Sequence, residues 1–325
     1  MHLAPLFRHS LDIARLLADH PPLFRHPHKA AIHRLVTAER DHRGRSLHVS
    51  RWTAASLPDR LERSTLVIDL RDDFFAYEPT PQDETRWHLN FAHPDIFAFY
   101  DSHLFAQDEI QVMEHPALAS VRLFLQRGGM STMVAEDHPT PILVRDVPRW
   151  CRISTRPDAA AGRPMGIYGN HFSKAPLPAV LDAVTPLRPA TDSNIIAIAA
   201  PANGFGRYSS ADIALILLTA LAGFAAARTE SVDADPRTRV VVHTGLWGCG
   251  AFGGNRTLML LLQMIAAAHA RIDRLVIHAP GAAAEFAAAR SLLDDLLPAA
   301  ASTSATTLIE RTTALGLEWG VGNGT

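Results

Sequence analysis

Cysteine is scarce in this chain of 325 residues: Cys151 and Cys249 are its only two. That scarcity excludes a disulfide framework and a cysteine-based zinc site. An excess of either charge is missing as well, since 31 Lys and Arg face 33 Asp and Glu, for a net charge of −2. The composition therefore exerts no global pull toward nucleic acid or an anionic membrane, and neither is expected as a partner. The N-terminus lacks a clean apolar stretch with a cleavage site, because Arg8, His9 and Asp12 interrupt it. No secretory signal is expected, and the expected location is cytoplasmic. One long apolar run, Ala211 to Ala227, contains Asp212, Thr219 and Gly223. A helix buried in a three-layer α/β domain accounts for it better than a membrane span, which needs about 20 residues.

What is present is an ordinary globular composition, 47% hydrophobic and 20% charged. Near the N-terminus, Arg8, Arg25, Lys29, Arg34, Arg40, Arg43 and Arg45 alternate with histidines and read as a solvated helical surface. Leu11, Ala14, Leu17 and Ala18 recur at helical spacing until Pro21-Pro22. The chain is accordingly expected to divide into a mainly helical accessory region, 1–60, and one α/β domain, 61–325. Strands are predicted at Thr65–Leu70, Trp87–Phe91, Ile195–Ala199, Arg239–His243 and Arg274–His278. A helix is predicted over Leu104–Leu125, with short strands in loops over 130–190. Strands alternating with helices imply an α/β fold with a largely parallel core sheet. The glycine-rich end, Gly320 to Thr325, is expected to be mobile.

The densest signal is Thr244-Gly245-Leu246-Trp247-Gly248-Cys249-Gly250-Ala251-Phe252-Gly253-Gly254-Asn255, between a β-branched run and an apolar helix. Closely spaced glycines before a helix let backbone N–H groups approach an anion, with the positive helix end behind them. No Gly-Lys-Ser/Thr follows, which excludes a P-loop. Gly248 to Gly253 satisfies G-x-G-x-x-G, so a dinucleotide-binding Rossmann oxidoreductase competes. That reading requires an acid after the next strand for a ribose. Here the strand ends in His278-Ala279-Pro280, and Asp273 precedes it. Cys249 reads as a small buried side chain rather than a nucleophile.

The wider string, with Leu258, Leu262 and Gln263 on the helix, resembles the diphosphate loop of the poly(ADP-ribose) glycohydrolase family. Gln107-Asp108-Glu109-Ile110 resembles the family's Gln-Glu-Glu helix, and Phe91-Ala92 its Phe-Ala-Asn. The resemblance implies a macrodomain-like three-layer α/β/α fold with a mixed central sheet and an N-terminal helical accessory region. It departs from the family where Pro94 to Ser102 replaces a Gly-Gly-Gly loop, His93 replaces the Asn, and Asp108 replaces a Glu.

The resemblance further implies Glu109 as the catalytic acid, with Asp108 beside it holding ribose hydroxyls. Cleavage at an anomeric carbon needs such carboxyls, because its transition state is oxocarbenium-like. No Lys or Arg occurs from Trp87 to Val121, whereas Asp95 and Asp101 do. Two added carboxylates beside the leaving group suit a guanidinium, so Asp101 is expected to assist and Asp95 to bind. Asn90, Phe91, Gln107, Gly245, Trp247, Gly248, Cys249, Gly250, Ala251, Phe252, Gly253 and Asn255 complete the expected ligand contacts. Asn255 also caps the following helix, and Phe205 or Tyr208 could approach an adenine. The substrate implied is ADP-ribose on modified protein, with arginine as the attachment point and no cofactor or metal. A polymer glycohydrolase and a non-catalytic ADP-ribose reader are the alternatives.

Overall fold

The computed structural model describes residues 3–38, 42–54, 56–135, 138–202, 204–299 and 301–322. In chain order the elements are β1 (Leu3–Asp12), α1 (Ile13–Asp19), α2 (Pro27–Thr37), β2 (Ser46–Ala54), β3 (Arg60–Glu62), β4 (Val67–Arg71), β5 (Glu84–Ala92), α3 (Gln107–Glu114) and α4 (Ala117–Arg127). There follow β6 (Val134–Ala135), β7 (His138–Pro139), β8 (Ile142–Ile153), α5 (Leu177–Asp182), β9 (Val184–Ala199), α6 (Ser210–Ala234) and β10 (Arg239–Gly245). The last are α7 (Arg256–His269), β11 (Arg274–His278), α8 (Ala283–Leu296), β12 (Ser302–Ser304) and α9 (Ala305–Ala314).

An eight-stranded sheet, in the order β1-β2-β8-β9-β5-β10-β11-β4, divides the molecule. From β9 to β4 the strands run parallel; from β1 to β9 they pair antiparallel. The sheet is therefore mixed, with a parallel half as expected. Strand alternation then sorts the side chains. Trp87, Leu89, Ile196, Ile198, Val240 and Val242 face α6 and α7 in one core, while Ile195, Ala197, Ile142 and Val144 face α1 and α4 in the other. Helices on both faces make three layers. Helix α6 is long and apolar enough to cross a bilayer, but 67% of its apolar window is buried inside the fold.

Residues 1–60 are not mainly helical. The helical spacing around Leu11 belongs to α1 alone, which Asp12 caps by accepting from the Arg15 amide at 2.8 Å. On either side, β1 and β2 extend the central sheet. In β2, Leu47 and Val49 join one core while Trp52 joins the other. The stretch 130–190 holds more than short strands, since β8 and β9 form one long antiparallel pair. Pro148 and Pro186 lie within it, and the pairing absorbs the disruption through register shifts at Val144/Val147 and Arg149/Cys151. The helix expected over Leu104–Leu125 is two helices, because Pro116 ends one path and starts the next.

The C-terminal end packs on the glycine loop through Gly320, while Val321 is 94% exposed; residues 323–325 lie outside the described residues. Trp319 stacks on Tyr208 with ring centroids 4.2 Å apart, and the Gly320 amide donates to the Gly253 carbonyl at 2.8 Å. Asn255 Nδ2 donates to the Glu318 carbonyl at 3.0 Å. Tyr208 is thus a structural support, and Phe205 is 98% exposed; neither lines the two cavities beside the glycine loop. Replacing Trp319 by Ala removes this stack, so Trp319→Ala should cost about 1–3 kcal/mol in chemical denaturation. Amide exchange should then accelerate at Ala251–Gly253 more than elsewhere.

Candidate functional site

Strand β10 ends flush against its neighbour. A Cβ at Gly245 would fall 2.5 Å from the His278 carbonyl oxygen, so a side chain there would part the strands. Beyond it the loop turns tightly: the Cys249 amide donates to the Leu246 carbonyl at 3.0 Å, and that of Gly254 to the Gly248 carbonyl at 2.8 Å. Gly248 has φ +75°, and a Cβ on it would meet Ala200 at 2.7 Å. Only glycine satisfies both demands. Trp247 is fully buried and donates its indole N–H to the Ile198 carbonyl at 3.1 Å, tethering the loop to the sheet. Asn255 Oδ1 accepts from the Leu258 amide at 3.1 Å and caps α7, as expected.

The amides of Gly248, Gly250, Ala251 and Phe252 donate to no acceptor among the described residues. All four residues line one cleft. Unpaired donors ahead of a fourteen-residue helix make an anion site.

The opposite wall is the start of α3. Gln107 fastens it to the end of β5: its Oε1 accepts from the Phe91 amide at 2.8 Å, and its Nε2 donates to the Leu89 carbonyl at 3.0 Å. Asp108 Oδ1 accepts from Asn90 Nδ2 at 3.0 Å, and Glu109 Oε2 accepts from the Ala106 amide at 2.9 Å. Both carboxyls are buried, and Val112 and Met113 anchor the helix below them. Burial pushes each carboxyl above its ordinary range, and the Glu109 charge raises Asp108 further. One member of the pair therefore keeps its proton where an exposed acid has lost it.

The cleft is about 710 Å3 including the open solvent at its mouth. Phe91, Ala92, His93, Phe99, Leu104, Ala106 and Tyr168 complete it beside the acid pair and the glycine loop. A second, larger cavity of about 1280 Å3 shares Phe91, Gln107, Tyr168 and Gly250 with it. Phe74, Phe75 and Tyr77 give that cavity aromatic walls, and Arg256 stands at α7's first turn. Behind it, His278 Nδ1 bonds Asp73 Oδ1 at 2.7 Å, and His278 Nε2 lies 3.0 Å from His243 Nδ1. Burial lowers both imidazoles, that of His243 to about 3. With both rings neutral, the partners assign the protons: His278 donates to Asp73 and accepts from His243.

Most of the expected contacts meet here, and several do not. Glu109, Asp108, Gln107, Phe91, Trp247, Gly248, Gly250, Ala251 and Phe252 line the cleft. Cys249 lines the adjoining cavity, and burial pushes its thiol up to about 12, so it is no nucleophile. Asn90 stands behind the acid pair as a support, and Gly245, Gly253 and Asn255 shape the loop without lining the cleft. Asp95 and Asp101 are not free carboxylates beside the leaving-group end. Asp95 pairs with Arg122 at 2.7 Å, and Asp101 lies 3.6 Å from the Arg25 guanidinium. Burial opposes ionisation of Asp95, but its hydrogen bonds to Arg122 and Ser131 hold it below the usual range.

Two functional neighbours escaped the sequence reading. Tyr168 sits against the Gln107 backbone and beside Glu109, between the two cavities. Lys29, expected on a solvated face, is completely buried behind the acid pair.

Residues 174–284 match the family model described as "Poly (ADP-ribose) glycohydrolase (PARG), Macro domain fold". Over that stretch the chain is similar to a macrodomain of the PARG type. The matched stretch carries β9, α6, β10, the glycine loop, α7 and β11, and the acid helix lies upstream of it. Among solved structures, the chain is similar to poly(ADP-ribose) glycohydrolase from Thermomonospora curvata bound to the inhibitor ADP-HPD. The identity is 16% and the TM-score 0.46, covering 85% of this chain and 87% of that one. The same enzyme from Deinococcus radiodurans, in complex with ADP-ribose, shows 13% identity and a TM-score of 0.42 over 87% of this chain and 97% of that one. No curated protein matches the chain.

The acid pair has a measurable cost to the fold. A carboxyl whose pKa is raised by folding contributes stability below its unfolded pKa and loses it as pH rises through the folded value. Asp108→Asn keeps an acceptor for Asn90 and removes the charge. Its Tm at pH 8 should exceed that of the wild type by about 2 °C or more, with the difference vanishing near pH 4 in calorimetry.

Proposed function

We propose that the protein is a hydrolase of the glycosidic bond at the anomeric carbon of ADP-ribose. The observation that carries this reading is the shared cleft: four unpartnered loop amides on one wall and two proton-sharing carboxyls on the other. The amides suit a diphosphate, which leaves the distal ribose against Asp108 and Glu109. The adjoining aromatic cavity suits a planar base. The matched family model, described as that of a glycohydrolase, supports the same chemistry.

In this reading, the bond from the anomeric carbon to the leaving atom breaks with its electron pair going to that atom. The protonated member of the acid pair supplies the proton. The ionised member faces the oxocarbenium centre and accepts a proton from the water that attacks it. Burial raises both carboxyls, which lets a protonated and an ionised member stand in one pair.

The rim bears on the attachment point. Asp95 and Asp101, the acids expected to receive a guanidinium, are already matched with Arg122 and Arg25. The rim beside the acid pair is His93, Phe99 and Leu104, with the His93 and Phe99 rings edge-to-face at 5.0 Å. An aromatic rim supports a leaving group that stacks, such as the next nucleotide unit of a polymer, ahead of arginine-linked ADP-ribose.

Incubation with the polymer and with arginine-, glutamate- and serine-linked ADP-ribosyl proteins tests this. Wild type should release ADP-ribose, fastest from the polymer. Glu109→Gln should lower the rate by about 10²–10⁴-fold while still binding ADP-ribose in calorimetry. Binding by wild type without release from any substrate would instead establish a reader.

A further inference from the structure

Behind the acid pair stands a cation that nothing in the reaction just described uses. Helix α2 begins with Pro27, which sets its first turn and directs Lys29 into the interior. Lys29 is completely buried. Its Nζ donates to the Leu104 carbonyl at 2.7 Å and to the Phe99 carbonyl at 3.4 Å, and lies 5.8 Å from the centre of the Phe105 ring. Phe99 and Leu104 belong to the rim of the cleft. Two residues beyond Leu104, the Ala106 amide holds Glu109 Oε2. A single ammonium thus ties together both ends of the segment that forms the rim and leads into the cap of α3.

We propose that Lys29 is a positioning residue for the hydrolysis: its buried ammonium fastens the Phe99–Leu104 segment and thereby sets the place and the charge of Glu109. The proposal rests on the reading of Glu109 as an acid of the cleft. A buried ammonium is costly unless acceptors and opposite charges compensate it. The two carbonyls supply the acceptors, and among the described residues no carboxylate touches Nζ directly. The charges that compensate it lie farther off. Glu109 and Asp108 on α3 and Asp101 on the fastened segment favour the ammonium, in that order. His26, with His28 and His103 around it, lies on the α2 side of Lys29, and Tyr168 stands beside Glu109. Burial pulls Lys29 down to about 8 against those carboxylates.

The effect is reciprocal. Among the influences that favour an ionised Glu109, Lys29 comes first, whereas for Asp108 the Asn90 hydrogen bond precedes it. The ammonium therefore favours an ionised carboxyl in the pair, acting on Glu109 ahead of Asp108. Lysine suits this place because a compact charge with rotatable donors reaches two carbonyls that a planar guanidinium would not. The chain has one other lysine, Lys174, and it is exposed.

Two measurements decide the matter. The first follows ADP-ribose release from about pH 5 to about pH 9 by wild type, Lys29→Met and Lys29→Gln. Lys29→Met should lose about tenfold or more in kcat with KM within about threefold. Its pH inflection should move upward by about one unit, because losing a positive neighbour favours the protonated carboxyl. Lys29→Gln retains an N–H donor; it should recover part of kcat and keep the displaced inflection. Profiles parallel to wild type in both variants would overturn the proposal.

The second measurement needs no activity. Lysine labelled with carbon-13 at Cε gives two resonances, with Lys174 as the exposed reference. Lys29 should titrate below Lys174 in wild type and lower still in Glu109→Gln, where the carboxylate that favours the ammonium is gone. A Lys29 titration unmoved by that substitution overturns the proposal. Should wild type release ADP-ribose from no substrate, the hydrolase reading fails, and the titration alone decides the role of Lys29.

Discussion

The geometry of the cleft depends on one side-chain amide. Gln107 both accepts from and donates to the backbone of β5, at Phe91 and Leu89, much as a paired strand would. This fixes the first turn of α3 against a central strand rather than leaving it on a mobile connection. Strand β5 in turn pairs with β10 from Glu84 to His88, and β10 runs directly into the glycine loop. The acid pair and the unpaired amides are therefore held on neighbouring strands of one sheet. Groups held this way need little reordering when a ligand spans them, which lowers the entropy lost on binding.

What surrounds the acids matters as much as where they stand. Asp108 and Glu109 are kept from water by Phe91, Phe99, Leu104 and Tyr168, and it is this exclusion that moves their protonation toward neutrality. The histidines of the same sheet face respond in the opposite sense, since burial favours their uncharged form. His88 and His243 stack at 4.6 Å, which two imidazolium rings would resist. Neutral rings beneath and shared-proton carboxyls above let this face of the sheet be polar with few net charges.

The parts of the molecule that are local in sequence were the legible ones. The central strands, the capped α7 and the glycine loop each announce themselves within a dozen residues, because turn chemistry and β-branched runs act over that range. The first strand was not legible from the helical spacing at Leu11, which belongs to the short α1 that follows it. Pairings between distant residues left still less trace. The stretch without Lys or Arg ends at Val121, and Arg122, the next residue, returns along α4 to meet Asp95. Asp101 meets Arg25 from the other side of the chain's first turn of structure. Lys29 and Tyr168 carry no periodicity or motif that distinguishes them from surface residues; only the packing of α2 and of the segment before α5 brings them to the acids.

Those two ion pairs at the leaving-group end also shape what the rim presents at a distance. Opposite charges within a few ångströms form a dipole, whose field fades far faster than that of a lone carboxylate. Neither pair therefore acts at a distance as a lone carboxylate would. Ionic strength has little to screen there, and the charge on whatever carries the ADP-ribose has little to grip. For a hydrolase of the kind proposed, discrimination then falls on the nucleotide that enters the cleft, and the identity of its carrier registers only through contact with the rim.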